Sequence, residues 1–528
     1  MSFHRRRSAV AFWLGCAVVT AGVGLHLPMF AMGRYTGYVL AGMPMGAAML
    51  WGMALIVGGI LLAGYGLLPA RVLGARVIET IAPPEDAPLT PAHWRIAALL
   101  GLALIIDIMK PASLGFVTPG MRQEYGLGKE AVAWLPLAAL TGTVLGSFVW
   151  GALADLYGRR ASILLSSVMF IGTSICGAMP GFWWNVLMCL LMGAAAGGML
   201  PVAYALLAEI MPTRHRGWML VLVGGIGAVG GFFAASALSA LLQPEFGWRI
   251  MWFLNLPTGL ILIALSPMLP ESARFLQQMG RGAEARAALA RFGAVLRHDA
   301  PPPVRHELEE QPHLPPGGER HRWLTLALTF AALSWGLVNF GLMLWLPSAL
   351  VAEGRSVAAS SRLIAQSTLI AAPVIVISTW LYSAWSSKGS LIVMTVAMML
   401  GLLGVLGHGS GVMWLQDPTI ALVLLIVGSC GVIAILLPYT AECYPLRIRG
   451  RATGWVAGCS KFGGLFAQGL SVIGVVPPLG AAALAIAAPT AVGLVLIVAF
   501  GRESRGRDLR ELERPFSAGT SAGVPAPD

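Results

Sequence analysis

Two charged residues lie in the middle of an apolar run that is long enough to cross a lipid bilayer. The run covers residues 98–119, and a membrane-spanning helix needs roughly 20 residues. Asp107 and Lys110 are three positions apart, which places them on the same side of a helix. Pro111 follows directly and is expected to break or kink that helix. A charge at the bilayer centre costs roughly 2.5–3.5 kcal/mol on insertion scales, so these two side chains should face a partner, a cavity or a ligand.

The chemistry open to this pair is proton transfer or anion binding. Burial favours a neutral carboxyl group and a nearby cation favours the carboxylate, so Asp107 is a candidate for reversible protonation. A static ion pair between Asp107 and Lys110 that braces the helix is the alternative. Lys461 lies in a later apolar run beside Gly463, where a buried lysine is costly unless it is paired or solvated. Lys461 could instead extend to the membrane interface.

The composition places these residues in a polytopic membrane protein. The chain has 528 residues, of which 57% are hydrophobic and 11% are charged, and its mean hydropathy is +0.76. The formal charge of +11 does not indicate nucleic-acid binding, because the basic residues cluster between apolar runs as the positive-inside rule requires. The six cysteines show no metal-ligand spacing, and no nucleophile–base pair or phosphate loop is recognisable. We therefore expect no metal, no cofactor and no enzymatic activity.

The apolar runs predict about fourteen membrane-spanning helices, two of them ahead of a set of six plus six. The basic residues fall on one side if every run crosses once, which predicts that both termini and the central insert are cytoplasmic. Rich Ala, Gly and Arg usage suggests a bacterium, so the predicted location is the inner membrane. The predicted segments are two extra helices (1–70), a cytoplasmic linker (71–94), a first six-helix half (95–269), a cytoplasmic central loop with an amphipathic helix and a disordered Pro-rich part (270–321), a second six-helix half (322–501) and a cytoplasmic tail (502–528).

An internal repeat links the two six-helix sets. AEIMPTRHRG at 208–217 recurs as AECYPLRIRG at 441–450, and each copy follows the fourth run of its set. Repeated halves with a binding site between them are a common plan for membrane transporters. The repeat therefore predicts a site at the interface of two related halves. Two unrelated basic turns are the alternative, which the matched glutamate, proline and paired arginines disfavour.

Three loop motifs resemble those of the major facilitator superfamily. GALADLYGRRASIL at 151–164 resembles the signature loop of that family, and PESARFL at 270–276 and AEIMPTRHRG resemble motifs of its sugar-porter branch. The resemblance covers about 95–505 and implies a twelve-helix fold with a central site that opens to each side of the membrane in turn.

The same resemblance implies a cytoplasmic gate between the halves. In the second half, the loop that corresponds to the signature motif has Ser386 and Ser390 in place of an aspartate and an arginine. We therefore expect an asymmetric lock that the first half carries in the main. The candidate gate residues are Gly151, Asp155, Gly158, Arg159, Arg160, Glu209, Arg216, Glu271, Arg274, Glu442 and Arg449.

The resemblance also implies which residues face the central site. In this superfamily the first span of one half and the fifth span of the other line a shared cavity, so Lys110 and Lys461 are expected to contact the substrate. The resemblance therefore implies an anionic substrate, most simply a carboxylate. The aromatic-acid:proton symporter branch carries two aspartates three apart in the first span; here Asp107 matches the first and Lys110 replaces the second. Other candidates are polar or aromatic residues that could instead form helix–helix hydrogen bonds. They are Tyr204, Trp335, Asn339, Gln366, Tyr439 and Gln468.

These features favour a secondary transporter that takes up a small organic anion, an aromatic or other carboxylate, together with protons. We expect it to work as a monomer in the lipid bilayer. A proton-antiport exporter of drugs or metabolites is the alternative, but the Gly-Pro motif usual in the fifth span of such antiporters is missing from LVGGIGAVGGFFAASAL. A neutral-sugar carrier would usually show a run of Gln and Asn around Trp335 and Asn339. A transporter-like sensor or assembly subunit, with residues 10–68 as a docking module, is a third hypothesis.

Overall fold

A computed structural model of the protein describes residues 3–68, 88–293, 319–407, 418–444 and 446–504. All regular structure in these ranges is helical. Most of the predicted linker, the Pro-rich part of the central loop and the tail beyond residue 504 lie outside the described residues. The backbone alone is described for 3–6, 213, 274, 278, 319–321, 446–447 and 449–450.

Fourteen long helical segments make up most of the described chain, and we number them α1 to α14. Thirteen of them are long and apolar enough to cross a membrane. Among the described residues, α13 is the exception; it carries arginines in its first two turns and Lys461, Gln468 and several glycines further along. The segments are α1 Phe3–Gly24, α2 Ala47–Leu67, α3 Pro91–Tyr125, α4 Trp134–Tyr157, α5 Arg159–Gly172, α6 Phe182–Ile210, α7 Thr213–Phe246, α8 Ile250–Met268, α9 Arg322–Ala352, α10 Val357–Trp385, α11 Ser387–Gly407, α12 Pro418–Cys443, α13 Leu446–Val472 and α14 Leu479–Phe500.

The segments form two six-helix halves with an additional helical hairpin, which confirms the predicted fold class. The first half comprises α3–α8 and the second α9–α14, and the hairpin of α1 and α2 packs on α5. One buried apolar cluster joins the hairpin to the first half and includes Val19 and Ile171. Another crosses between the halves, where Phe116 of α3 packs with Leu342 of α9.

Glycines spaced seven residues apart hold the hairpin together. A Cβ atom on Gly59 would lie 2.7 Å from the Val19 side chain, and one on Gly15 would lie 2.5 Å from the backbone nitrogen of Ala63. Such small-residue contacts let membrane helices pack backbone against backbone. The spacing of seven keeps the glycines on one face of each helix. They are Gly15 and Gly22 in α1 and Gly52, Gly59 and Gly66 in α2.

A buried ion pair ties the hairpin to the first half. Glu124, near the end of α3, lies 2.6 Å from Arg249, and both side chains are almost fully buried. The same carboxylate accepts hydrogen bonds from the backbone N–H groups of Leu40 (2.7 Å) and Ala41 (3.0 Å), in the connection between α1 and α2. Trp248 Nε1 donates to it at 2.8 Å. Together these donors offset the desolvation of a buried carboxylate.

Two local expectations differ from the structure. The helix α3 continues through both Pro111 and Pro119, so the predicted break at Pro111 is not observed. A proline in a helix removes one hydrogen bond, but Lys110 and Ala112 on either side of Pro111 are buried, and their packing stabilises the helix through this position. The predicted amphipathic helix of the central loop is two short helices, Ala273–Gln278 and Gly282–Ala290. Gly280, with φ of +70°, forms the turn between them.

The two ends of the helix bundle carry different loops. We call the end with residues 157–159 the signature end and the opposite end, with Glu124, the far end. Gly158 turns the chain between α4 and α5 with φ of +104°, a conformation that glycine adopts readily. The hairpin connection lies at the far end, so α1 begins at the signature end. The last described residue, Ser504, also lies at the signature end, hydrogen-bonded to Ser387.

Candidate functional site

A cavity of about 380 Å³ lies between the two halves. It is lined by α3, α4, α6 and α7 of the first half and by α9, α12 and α13 of the second. Asp107 and Lys461 are its charged lining residues, and most of the remaining wall is apolar. Ligand sites typically combine an apolar wall with a few placed polar groups in this way. The further polar or aromatic residues of the wall include Thr143, Ser147, Tyr204, Trp335, Asn339, Phe340, Ser429 and Ser460.

Close helix packing positions Lys461 of α13. A Cβ atom on Gly336 of α9 would lie 1.8 Å from the Ser460 carbonyl oxygen, so α9 and α13 touch backbone to backbone just beside the lysine. The lysine side chain then crosses to the first half. Its Nζ donates to the Ser147 hydroxyl and lies 3.3 Å from the Thr143 carbonyl oxygen, both on α4.

Asp107 faces the cavity from α3 without a hydrogen-bond partner among the described residues. Its side chain is buried, and its Oδ1 atom has no hydrogen bond to any described residue. The alternative of a static ion pair with Lys110 is not observed, since no nitrogen–oxygen contact within 4.0 Å joins the two among the described residues. A buried carboxyl group without a partner is costly, and this arrangement leaves Asp107 available to a proton or a ligand.

Lys110 is directed away from the cavity. Its Nζ lies 2.9 Å from the centroid of the Phe170 ring on α5, and Lys110 is not among the cavity-lining residues. Three residues on a helix turn the side chain about 60° from Asp107, which is enough to direct the lysine into the first half. A cation over an aromatic face is a favourable arrangement. The expected contact of Lys110 with substrate is therefore not supported in this conformation.

The structure divides the weaker substrate-site candidates. Tyr204, Trp335 and Asn339 line the cavity, and Trp335 Nε1 donates to the Ser429 carbonyl oxygen at 3.0 Å. The remaining three candidates are away from it.

Each of those three has a different environment. Gln366 is exposed on the face of α10 that also exposes Leu369 and Ile370, which faces away from the cavity. Gln468 donates to the Phe340 carbonyl oxygen at 2.5 Å. The Tyr439 hydroxyl donates to the backbone carbonyl of residue 502 at 2.7 Å, at the signature end. These residues brace helices, which is the alternative that their residue types left open.

The sequence analysis missed Ser147, which contacts Lys461. The sequence feature that could have indicated Ser147 is the set of small residues that surrounds it in α4 and α6. Cβ atoms on Gly146 of α4 and Gly197 of α6 would lie 2.2 Å from carbonyl oxygens of the other helix. The Ser147 hydroxyl completes this close contact by donating to the Gly197 carbonyl oxygen at 2.7 Å.

At the signature end, four of the predicted gate residues of the first half, Asp155, Arg159, Glu209 and Glu271, form one network. Arg159 Nη1 lies 2.9 Å from Asp155 and its Nη2 lies 3.3 Å from Glu209. Glu271 accepts hydrogen bonds from the backbone N–H groups of Arg159 (2.8 Å) and the following residue (3.3 Å). The Ser272 hydroxyl donates to Glu209. Burial raises the pKa of Glu271 above its ordinary value, against the opposing effect of these donors.

The second half contains a matching network, of which the sequence analysis predicted only Glu442. Glu503 accepts hydrogen bonds from the Ser387 N–H (2.9 Å), the Ser387 hydroxyl (2.6 Å) and the Ser386 hydroxyl. Ser504 Oγ donates to Glu442 at 2.6 Å. The sequence feature that could have indicated this network is a Glu-Ser pair after the last helix of each half, Glu271–Ser272 and Glu503–Ser504. Serines replace the charged residues of the signature loop here, yet this half has a carboxylate network of its own.

The contacts described here assign no gating interaction to the other gate candidates. Arg160 is partly buried at the start of α5 and Arg216 at the start of α7. A Cβ atom on Gly151 would meet no atom within 4 Å, so this glycine makes no close helix contact in this conformation. The side chains of Arg274 and Arg449 lie outside the described residues. The gating role of the whole set stays a prediction.

Comparison with known families identifies the protein class. The family model described as Major Facilitator Superfamily matches residues 98–468. The chain belongs to this superfamily. It is therefore a membrane transporter rather than an enzyme, as the loop motifs indicated. The two N-terminal helices precede the matched region.

Named relatives and a solved structure extend the comparison. The niacin transporter NiaP of Acinetobacter baylyi is 25% identical over 406 residues, which cover 74% of this facilitator and 89% of the relative. The gallate transporter of Pseudomonas putida is 29% identical over 399 residues, covering 72% and 85%. The 4-hydroxybenzoate transporter PcaK of Pseudomonas aeruginosa is also 29% identical over 399 residues, covering 72% and 85%. The proton:xylose symporter XylE superimposes with a TM-score of 0.63 at 16% identity, over 80% of this chain and 99% of that one, a likeness of fold.

Proposed function

We propose that this transporter takes up a small organic anion, an aromatic or other carboxylate, together with protons. The observation that carries the proposal is the central cavity. One ammonium group, Lys461, and one carboxyl group, Asp107, face a mainly apolar space of about 380 Å³, and Asp107 Oδ1 has no hydrogen bond to any described residue. The cation suits a carboxylate and the apolar wall suits an aromatic body.

The names of the relatives favour the same substrate class. Niacin, gallate and 4-hydroxybenzoate, the substrates in the names of three relatives, are each a carboxylic acid on an aromatic ring. The cavity wall includes Phe340, Trp335 and Phe232, against which a ring can stack. In this proposal Lys461 binds the carboxylate and the aromatic side chains contact the ring.

Asp107 is the proposed proton site. A carboxyl group in a low-dielectric cavity exchanges its proton when the charges around it change. Entry of an anion beside Lys461 changes that charge balance, so proton and anion binding are linked. Transport then follows when the halves move to expose the cavity on the other side.

The proposed orientation places the signature end in the cytoplasm of a bacterial inner membrane. The basic residues concentrate in the loops of that end, as the positive-inside rule requires. At the far end the halves are in contact, where the Ser239 and Ser361 hydroxyls lie 2.8 Å apart. The conformation is consistent with a cavity that faces the cytoplasm.

The decisive experiment is transport by the purified protein in liposomes under an inward proton gradient. Labelled nicotinate, gallate and 4-hydroxybenzoate are compared with xylose and a cationic dye, for wild type, Asp107→Asn and the control Glu353→Gln, an exposed carboxyl group. We expect accumulation of a carboxylate by wild type and control. Asp107→Asn should lose accumulation yet retain exchange of internal for external substrate, because exchange needs no net proton movement.

Other results would contradict specific parts of the proposal. Accumulation that survives in Asp107→Asn would place the proton site elsewhere. Carboxylate uptake that does not respond to the proton gradient would remove the coupling. Absence of carboxylate transport, with dye movement against the proton flow, would replace uptake by export.

A further inference from the structure

The contact between Lys461 and Ser147 joins the two halves at the edge of the cavity. Lys461 belongs to the second half and Ser147 to the first. The lysine is held at a fixed place because α13 packs on α9 through Gly336 and Gly463, where a Cβ atom would come within 2.4 Å of a backbone carbonyl oxygen. Ser147 is held in the same way by the glycine contacts between α4 and α6. Because each residue is fixed within its own half, this contact can form only when the two halves are at the distance seen here.

This contact lies where α4 and α13 separate. Towards the far end the helices remain close, since a Cβ atom on Gly474 would lie 3.7 Å from the side chain of Glu130, just before α4. Towards the signature end, Cβ atoms on Gly151, Gly454 and Gly458 would meet no atom within 4 Å. Glycines at these positions leave a gap between the helices in this conformation.

At this interface, Lys461 donates hydrogen bonds to the hydroxyl oxygen of Ser147 and the carbonyl oxygen of Thr143. The Ser147 hydroxyl donates its proton to a carbonyl oxygen, of Gly197 at 2.7 Å or of Thr143 at 2.8 Å, and so presents a lone pair to the ammonium group. The Thr143 carbonyl oxygen lies 3.3 Å from Nζ. Both partners are neutral oxygens, and a carboxylate forms a stronger hydrogen bond with an ammonium group than a neutral oxygen does.

We infer that Lys461 is a strut between the halves that an anionic ligand displaces, and that Ser147 is the positioning residue that holds the strut in the empty transporter. The inference rests on the proposed function in one respect, that the ligand is a carboxylate. When the ligand takes the ammonium group, the second half loses its hold on α4 at the point where the helices separate. Ligand binding thereby frees the halves to move, which links occupancy to the conformational change.

The first test is ligand affinity. Binding of labelled carboxylates to the full-length purified protein is measured for wild type, Ser147→Ala and Thr141→Val. Thr141 is a matched control, because its hydroxyl donates only within α4, to the Leu137 carbonyl oxygen, on an exposed face. If Ser147 competes with the ligand, its removal should lower Kd by roughly three- to tenfold, the range of the net contribution of a typical hydrogen bond. The control should leave Kd unchanged.

Either of two other results for Ser147→Ala would refute the strut. If Ser147→Ala raises Kd or leaves it unchanged, Ser147 is a ligand contact or a bystander, and the strut is refuted while carboxylate binding stands. Ser147→Thr, which retains the hydroxyl, should restore the wild-type Kd. The unfolding temperature of each variant is compared with that of wild type, so that a loss of binding can be distinguished from a loss of folding.

The second test needs no ligand. Spin labels on Val149→Cys of α4 and Ile448→Cys of α13, both exposed positions near the signature end, report the distance between the halves. We expect Ser147→Ala to shift or broaden this distance distribution in the empty protein, and Thr141→Val to leave it unchanged. An unchanged distribution in Ser147→Ala would overturn the strut. If no carboxylate binds to wild type, the proposed function fails, and this measurement alone decides the inference.

Discussion

At the residue scale, the two lysines inside the membrane-spanning helices have different environments. Lys461 faces the cavity and contacts the opposite half, whereas Lys110 lies over Phe170 within the first half. We predict that Lys461→Met raises the KM for carboxylate uptake at least about tenfold, the size of a lost charge-assisted hydrogen bond. Lys110→Met should change KM by less than about twofold, because no cavity contact is lost. Uptake kinetics in liposomes measure both, and an equal rise in KM would contradict the assignment.

Glu271 gives a prediction for the pH dependence of stability. Burial raises the pKa of this carboxyl group above its ordinary value of 4.5, so the folded state favours the protonated form. Its contribution to stability is fully present at low pH and is lost as the pH rises from about 4.5 through the folded-state pKa. Glu271→Gln cannot titrate, so the difference in unfolding temperature, wild type minus variant, should decrease as the pH rises above about 4.5.

Thermal unfolding of the detergent-solubilised protein across this range measures the difference. The exposed Glu353→Gln is the matched control. A difference for Glu271→Gln that is constant with pH, or that increases, would show that the backbone donors outweigh burial at this site.

At the element scale, the N-terminal hairpin depends on glycine contacts along one face. A Cβ atom on Gly59 would lie 2.7 Å from the Val19 side chain of α1. A Cβ atom on its neighbour Gly58 would meet no atom within 4 Å. Gly59→Leu should destabilise the hairpin by about 1–3 kcal/mol, the usual cost of overpacking, while Gly58→Leu should have no such effect. The two changes alter helix propensity alike, so their difference isolates packing. Equal unfolding temperatures for the two variants would contradict the packing seen here.

At the scale of the whole molecule, the halves meet at the far end, whereas α4 and α13 part towards the signature end. The Ser239 hydroxyl of α7 and the Ser361 hydroxyl of α10 lie 2.8 Å apart across this contact. We predict that the double variant Ser239→Cys/Ser361→Cys forms a disulfide under mild oxidation and loses transport, because alternating access requires the far end to open. Reductant should restore transport.

Uptake before and after reduction, with loss of thiol labelling on oxidation, measures this lock. Each single variant is the control, since the native cysteines are buried or partly buried and should not respond. Transport that continues in the fully oxidised double variant would show that the far end need not open.

The signals for the fold and the site were of unequal strength. Hydropathy and the repeated AE-x-x-P motif predicted the helices and the two halves, because lipid demands long apolar helices whatever their neighbours. Asp107 and Lys461 were found by the cost of a charge inside an apolar run. Ser147 and Glu503 were not, because a serine in a helix or a glutamate after one is ordinary until its partner is known.

The sequence by itself determined that this is a helical membrane transporter with two related halves, an added hairpin and a charged centre, because these features follow from composition, periodicity and local motifs. The tertiary structure alone decided which side of each helix faces the cavity. Lys110 and Asp107 are three positions apart, yet one packs on Phe170 and the other faces the cavity. The rotation of α3 is set by glycine contacts with α7, where a Cβ on Gly227 would lie 2.6 Å from Leu104. Such contacts join residues more than a hundred positions apart, and no local pattern specifies them.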